Sequence, residues 1–554
     1  MPKPSLKKLV ANTAPVKPVP AKKAVKKVSK SKETAKTESF IFETHEGVPY
    51  AVVSNAKLIS RLREVCSFET LYKKREIYKI PIYEIFSDVD DFQNVQTSSY
   101  PDCKSFFAEC GKYRDKLIQD ITSMNKISFF LLPYLFKEDK EIVFLQSGLK
   151  CGGIITSTHV AAGWGGTRFV ISYKNIGSNG KTFLETNGEV EIPLFKGNVS
   201  PNELPVQFLS PEEKDNLNER GLKLEKYCIG NHYVSYSGEM LFKSWFGDRF
   251  RNAGKKVQID KVGFDKISSR GQASDDSTVI KNISEDSRWM IIPWIEAFSY
   301  KLKDWGLINI EQVSEFQFNP LNFDKIVLDP EKKKVIKSLI THYNSSFKDI
   351  IAEKSGGCIF LLHGTPGVGK TLTAETVADY LKRPLYPITV GELGTNAKEL
   401  EENLTQVLDI VSSWNAVLLI DEADLFLEER TANDIERNAL VSIFLRLLEY
   451  HQGIIFLTTN RAKNLDQAFH SRITLTIKYD ALDDVARQKV WVNLLKAAEL
   501  EIDEKSIAVL SKVDMNGREI KNAIRLTQCI CKEDNRAVDG ESLVAAINLK
   551  SDLK

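Results

Sequence analysis

One stretch, Cys358–Thr371 with the sequence CIFLLHGTPGVGKT, restricts the architecture of this chain more than any other. An apolar run, Cys358 to Leu362, leads straight into Gly364-Thr365-Pro366-Gly367-Val368-Gly369-Lys370-Thr371, and a helix-like segment, Leu372 to Leu381, follows without a spacer. Strand, glycine loop and helix in that order turn successive backbone N–H groups, and the positive end of the helix, toward one anion. The spacing G-x-x-x-x-G-K-T gives Lys370 the β- and γ-phosphates of a nucleotide and gives Thr371 a place on Mg²⁺. Gly364, Thr365, Pro366, Gly367, Val368, Gly369, Lys370 and Thr371, with Leu372 opening the helix, are the candidate nucleotide-binding residues. A glycine-rich turn in an ordinary β-α unit is the competing reading.

Four further apolar or β-branched runs follow, at Leu385–Thr389, Ala416–Ile420, Ile454–Thr458 and Ile473–Ile477, separated by helical stretches. Alternation of this kind predicts a parallel sheet with helices on both faces. Ligands of such sheets sit beyond the carboxyl ends of the strands. Asp421 and Glu422 emerge at that edge directly after Ala416–Ile420. There an aspartate can hold Mg²⁺ and a neighbouring glutamate can orient and deprotonate the attacking water. Asn460 ends the next strand and would polarise the same water, or else it caps a turn. From Asp480 onward, amphipathic segments at Asp483–Leu500, Glu504–Ser511 and Gly517–Cys531 predict a helical lid, from which Arg518 would swing over the phosphates; its default reading is a solvated charge.

Upstream of this module the texture differs. Residues 1–39 are rich in Lys, Ala, Pro, Val, Ser and Thr; residues 1–40 carry eleven Lys and two Glu, so a net charge of +2 overall leaves the remaining 514 residues at −7. Such a tail cannot bury enough apolar surface to offset ordering it, and is expected to be disordered. It suits nucleic acid, a membrane surface, an acidic partner or a nuclear address, and equally a solvated arm. No apolar segment follows its charges, as a secretory signal would need, and a mitochondrial presequence would use arginine. Residues 40–126 are mixed, with helices expected at Ala56–Lys74 and Pro101–Thr122. Residues 127–320 read as a β-rich α+β domain with a linker, its strands at Glu141–Leu145, Gly153–Thr158, Arg168–Tyr173, Thr182–Thr186 and Glu189–Pro193. Gly163-Trp164-Gly165-Gly166 reads as a hairpin turn, because no Lys-Ser/Thr pair follows it, and Ser268–Ser284 as a linker or loop. Trp289, Trp294, Phe298 and Trp305 read as packing against a neighbouring domain, since basic residues are not interleaved as base stacking would require.

No run approaches the ~18 apolar residues that a membrane span needs. The eight cysteines show no C-x-x-C spacing, which suits a reducing compartment without zinc or disulfides. An intracellular soluble protein, cytoplasmic or nuclear, is expected.

The set GTPGVGKT, LLIDEAD (Leu418–Asp424), TTN (Thr458–Asn460) and AFHSRI (Ala468–Ile473) resembles an AAA+ ATPase module spanning residues 321–479, with its lid at 480–554. The resemblance implies that Lys370 and Thr371 belong to Walker A, Asp421 and Glu422 to Walker B, Asn460 to sensor 1 and Arg518 to sensor 2. It also implies that Arg472 is an arginine finger donated by a neighbouring subunit, hence a ring, usually of six. The strings Leu381–Tyr386 and Arg437–Ala462 are similar to a poorly characterised, mainly fungal group with a β-containing domain upstream of the ATPase. The chain departs from the protein-unfolding members in two places. The loop Gly391–Asn396 lacks an aromatic residue, and the finger segment has Arg472 preceded by Ser471 instead of paired arginines.

The leading functional reading is therefore an ATP- and Mg²⁺-dependent ATPase that remodels a protein or macromolecular assembly in an oligomeric ring. A nucleotide-gated scaffold with slow hydrolysis is the second reading, disfavoured by the presence of Glu422. A nucleic-acid remodeller using the basic tail is the third.

Overall fold

The computed structural model describes residues 40–551 except 46–47, 67–76, 83–84, 86–100, 125, 164–165, 245–246, 269–277, 343–356, 395, 430–433 and 462–465. The tail 1–39, the end of the helix expected at Ala56–Lys74, Trp164 and Gly165 of the turn, and most of the Ser268–Ser284 linker lie outside the described residues.

The chain forms two compact units, Met1–Leu135 with Leu194–Glu203, and Phe136–Pro193 with Leu204–Lys554. In the first, strands Phe40–His45, Val48–Val53 and Tyr78–Pro81 form an antiparallel sheet. Helix Ala56–Val65 starts where the Asn55 side chain accepts from the N–H groups of Lys57 and Leu58, filling two donors that a helix start leaves open. Helix Pro101–Met124 brings Phe106 edge-on to Phe40 and stacks Tyr113 on Phe42.

The second unit begins with two antiparallel sheets. In the six-stranded one, Leu149–Gly163, Gly166–Ser178 and Phe183–Pro193 form a long meander, with Gly163 paired to Gly166 at the end of its first two strands. The segments expected separately at Thr182–Thr186 and Glu189–Pro193 are one strand. Asn187-Gly188 reads locally as a turn, yet Gly188 lies opposite Tyr173, and a Cβ there would stand 2.5 Å from the Tyr173 hydroxyl. The glycine makes room for a crossing ring. Helix Pro211–Tyr227, which the alternating texture of this region does not suggest, has Pro in its first turn and a Ser210 side chain that accepts from Glu213 N–H. The seven-stranded sheet contains the neighbouring strands Trp294–Ser299 and Asp304–Asn309.

The ATPase-like module follows: β1 (Cys358–Gly364), α1 (Lys370–Leu381), β2 (Leu385–Thr389), α2 (Ala397–Ser413), β3 (Val417–Asp421), α3 (Ile435–Glu449), β4 (Ile454–Thr459) and β5 (Leu475–Tyr479). The strands pair in parallel in the order β2-β3-β4-β1-β5. Alternate residues serve the two faces. Leu361, Leu418, Ile420, Ile455 and Leu457 pack with Leu404, Val441 and Phe444 of α2 and α3. Phe360, Leu362, Leu419 and Phe456 pack with Ala374 and Val377 of α1. The last strand starts two residues later than Ile473. Helices α4 (Asp484–Ala497), α5 (Glu504–Ser511), α6 (Gly517–Glu533) and α7 (Gly540–Ser551) bury Trp491, Leu510, Ile520 and Leu543 in a separate small core.

Of Trp289, Trp294, Phe298 and Trp305, two face the ATPase module, as does Tyr300 between them. Phe298 stacks on Tyr386 at 5.7 Å, and Phe298 and Trp305 both lie against Trp414, whose indole N–H donates to Asp260 Oδ2 at 2.7 Å. Trp289 and Trp294 stay with the β-sheets: Trp289 fills the space above Gly152, and the Trp294 N–H donates to Gln146 O.

Candidate nucleotide site

The loop between β1 and α1 carries Gly364, Gly367 and Gly369 at φ of +151°, +80° and +103°. At Gly367 the demand is double. The backbone is left-handed, and a Cβ would stand 2.5 Å from Asn516 Oδ1, while Gly367 O accepts from Gly517 N–H at 3.0 Å. The start of α6 therefore rests directly on the loop, and Asn516, held in a reciprocal capping box with Glu519, is its contact residue.

Lys370 opens α1 and is 8% exposed. Its Nζ donates to Gly364 O at 2.7 Å, Thr365 O at 2.8 Å and Asn460 Oδ1 at 2.9 Å, so all three of its donors are used. Burial, followed by the nearby Arg518 charge, holds its pKa below the usual lysine value against the opposing pull of Asp421, Asp424 and Glu422. Thr371 Oγ1 lies 3.3 Å from both carboxylate oxygens of Asp421. Leu372 is half exposed beside them.

The acids leave β3 at the carboxyl edge of the sheet. Asp421 ends the strand, and Glu422 turns out of it at φ +56°, a left-handed conformation that costs a residue with a side chain about 1–3 kcal/mol. The neighbouring strand supports this turn. Thr458 Oγ1 donates to Asp421 Oδ1 and accepts from Glu422 N–H at 3.0 Å. Thr459 Oγ1 donates to Asp424 Oδ1, which also accepts from Asn460 N–H at 3.3 Å.

Lys370, Thr371, Asp421 and Asn460, expected from sequence to share a site, are thus hydrogen-bonded in two pairs, Lys370–Asn460 and Thr371–Asp421, and Glu422 adjoins Asp421 through Thr458. Arg518 is exposed at the start of α6. Arg472 is not in the hydrogen-bonded set: its Nη2 donates to Glu449 Oε2 at 2.8 Å and its Nη1 to Ala468 O at 3.1 Å. Sequence reasoning passed over Thr458, Asp424, Asn516 and Glu449. Thr458 and Asp424 stand inside motifs already noted, and Asn516 carries a local capping signature with Glu519 three residues on, whereas nothing local marks Glu449 as the partner of Arg472. Among the described residues no group of three His, Cys, Asp or Glu side chains is arranged for a metal. The candidate metal position is the hydroxyl–carboxylate pair Thr371–Asp421, on the residues that the glycine-loop motif and the strand-end acid mark.

Residues 360–481 match the family described as ATPase family associated with various cellular activities (AAA), and residues 118–212 match a domain of unknown function, DUF7025. A putative 26S proteasome regulatory subunit homolog of Methanothermobacter thermautotrophicus is 28% identical over 203 residues, covering 34% of this chain and 53% of that protein. Fidgetin-like protein 1 of Drosophila melanogaster is 29% identical over 162 residues, covering 28% of this chain and 31% of that protein. The chain thus spans about half or less of the length of these relatives. Among solved structures, the FIGL-1 AAA domain in complex with ADP aligns at 19% identity and a TM-score of 0.34, covering 41% of this chain and 82% of that one. On the family match and the parallel sheet with its glycine loop, the chain carries an AAA-family ATPase domain at residues 360–481.

Proposed function

We propose that the protein binds ATP with Mg²⁺ and hydrolyses it, acting as a homo-oligomeric ring, six subunits by the habit of the family, that remodels a protein or macromolecular assembly. One observation carries this reading: two hydrogen-bonded pairs, Lys370–Asn460 and Thr371–Asp421, join the first two residues of α1 to residues at the carboxyl ends of β4 and β3. In this reading residues 364–372 cradle the phosphates, with Lys370 on the β- and γ-groups. Thr371 and Asp421 hold the metal, a donor set suited to Mg²⁺, which takes its remaining ligands from water and phosphate. Bound there, Mg²⁺ would neutralise phosphate charge. Glu422 accepts a proton from the attacking water and Asn460 orients that water. Arg518 covers the phosphates, and Arg472 reaches the site of a neighbouring subunit.

The working division of labour is a nucleotide-binding core at 321–479, a lid at 480–554 and a partner-binding region at 127–320, upstream of which lie the mixed region 40–126 and the tail 1–39. The partner is an unidentified protein, with nucleic acid as a second candidate ligand for the Lys-rich tail. We place the protein in the cytoplasm or nucleus; among the described residues no helix is long and apolar enough to cross a membrane.

The test is steady-state ATP hydrolysis by the full chain and by Glu422→Gln, with particle size followed in parallel. The expected result is turnover in the parent, a loss of about 10²-fold or more in the variant, and a larger assembly that persists in ATP. Tight ATP binding with no turnover in the parent would overturn the enzymatic reading and leave a nucleotide-gated scaffold.

A further inference from the structure

Resting on the ATPase reading, we infer that Thr458 is the positioning residue for both acids of the site, and that its hydroxyl, not its shape, is what the reaction requires. Its side chain is 1% exposed at the end of β4, between strands β3 and β1. The hydroxyl uses its donor on Asp421 Oδ1 and accepts the Glu422 N–H. Its backbone oxygen accepts the next N–H, from Ala423, at 2.9 Å. Three consecutive residues leaving β3 are therefore gripped by one residue of the neighbouring strand.

The two hydrogen bonds of the hydroxyl do different work. The bond to Asp421 orients a carboxylate whose oxygens both lie 3.3 Å from the Thr371 hydroxyl, and so sets the direction in which that carboxylate faces a metal ion. The bond from Glu422 N–H supports the left-handed turn at φ +56°, and so sets where the Glu422 side chain departs from the sheet. Thr459 makes the corresponding grip on Asp424. Successive strand residues project to opposite faces, so the two threonines cannot replace one another. A valine at 458 would fill the same volume and supply neither bond. An alanine would likewise remove both bonds, leaving Asp421 with the Thr371 hydroxyl and the Glu422 N–H without the Thr458 hydroxyl.

The experiment compares the full-length parent with Thr458→Val and Thr458→Ser in three measurements: ATP turnover, binding of a fluorescent ATP analogue with and without EDTA, and binding of that analogue across a Mg²⁺ titration. The inference expects Thr458→Val to lose about tenfold or more in kcat with KM for ATP within about twofold. It also expects unchanged nucleotide binding in EDTA and a Mg²⁺ midpoint moved upward. Thr458→Ser should recover turnover to within about threefold and restore the Mg²⁺ midpoint. Melting curves accompany each variant, and if Thr458→Val does not fold, Thr458→Ala against Thr458→Ser carries the same comparison. Parent-like turnover and Mg²⁺ response in Thr458→Val, or equal losses in the Val and Ser variants, would overturn the role of the hydroxyl while leaving the ATPase reading standing. A parent that neither turns over ATP nor responds to Mg²⁺ would instead bring down the ATPase reading, and this inference with it.

Discussion

At the scale of single residues, the site is built from short polar side chains whose partners lie on neighbouring elements, and the surrounding core contains a buried imidazole with a shifted titration. His451, in the turn leading to β4, is 6% exposed, and its Nε2 has no hydrogen-bond partner. Burial pushes its pKa below the ordinary value of 6.5, so the folded protein holds the neutral ring. Below that pH the unfolded chain takes up the proton more readily than the folded one. The stability His451 contributes is present above 6.5 and is lost as the pH falls toward the lower folded value. His451→Asn should therefore show a smaller drop in melting temperature than the parent between about pH 7.5 and about pH 5. Parallel slopes for the two proteins would contradict the assignment.

At the scale of elements, the contact between the β-rich region and the ATPase domain is an aromatic cluster with a buried carboxylate beneath it and an ion pair beside it. Phe298, Tyr300, Trp305, Tyr386 and Trp414 pack ring to ring within 6 Å, and Asp260, 3% exposed, accepts from the Trp414 indole and from Gly263 N–H. Lys303 lies over the Tyr386 ring at 4.5 Å and pairs with Glu392 at 3.7 Å. That pairing ties the turn after β2 to the upstream region. The same turn buries Leu393 and presents no aromatic residue among those described. Trp414→Phe deletes the bond to the buried carboxylate together with the pyrrole half of the indole that packs in the cluster. Chemical unfolding should register a loss of more than about 1–3 kcal/mol, the amount the bond alone is worth; an unchanged midpoint would show that neither the bond nor the lost ring contact adds anything net.

At the scale of the whole molecule, the arginine assigned to a neighbouring subunit is held at home by Glu449 and by Ala468 O. Arg472 is part-buried and remains on the edge of α3 in the single chain. If it completes a site across an interface, hydrolysis per subunit should rise with protein concentration in the parent and fall by roughly 10³-fold or more in Arg472→Ala at assembled concentrations. A rate independent of concentration over the range in which the particle size changes, with Arg472→Ala as active as the parent, would exclude a shared site.

The local chain determined much of this. The glycine loop, the apolar strands and the two acids at the end of β3 are set by contiguous residues, because strand periodicity and turn chemistry act over a few positions. That the sheet is parallel followed from strands alternating with helices, and the helical lid from its amphipathic segments, whereas the strand order β2-β3-β4-β1-β5 came only with the structure. Contacts between distant residues were settled only by the packed structure. The Thr458 hydroxyl reaches Asp421 across 37 positions and the Trp414 indole reaches Asp260 across 154. Asn516 meets Gly367 because the lid packs where it does. Even Asn187-Gly188, a turn by composition, became the middle of a strand once the Tyr173 ring needed its space. Such contacts depend on which surfaces the folded elements bring together, and no local pattern carries that information.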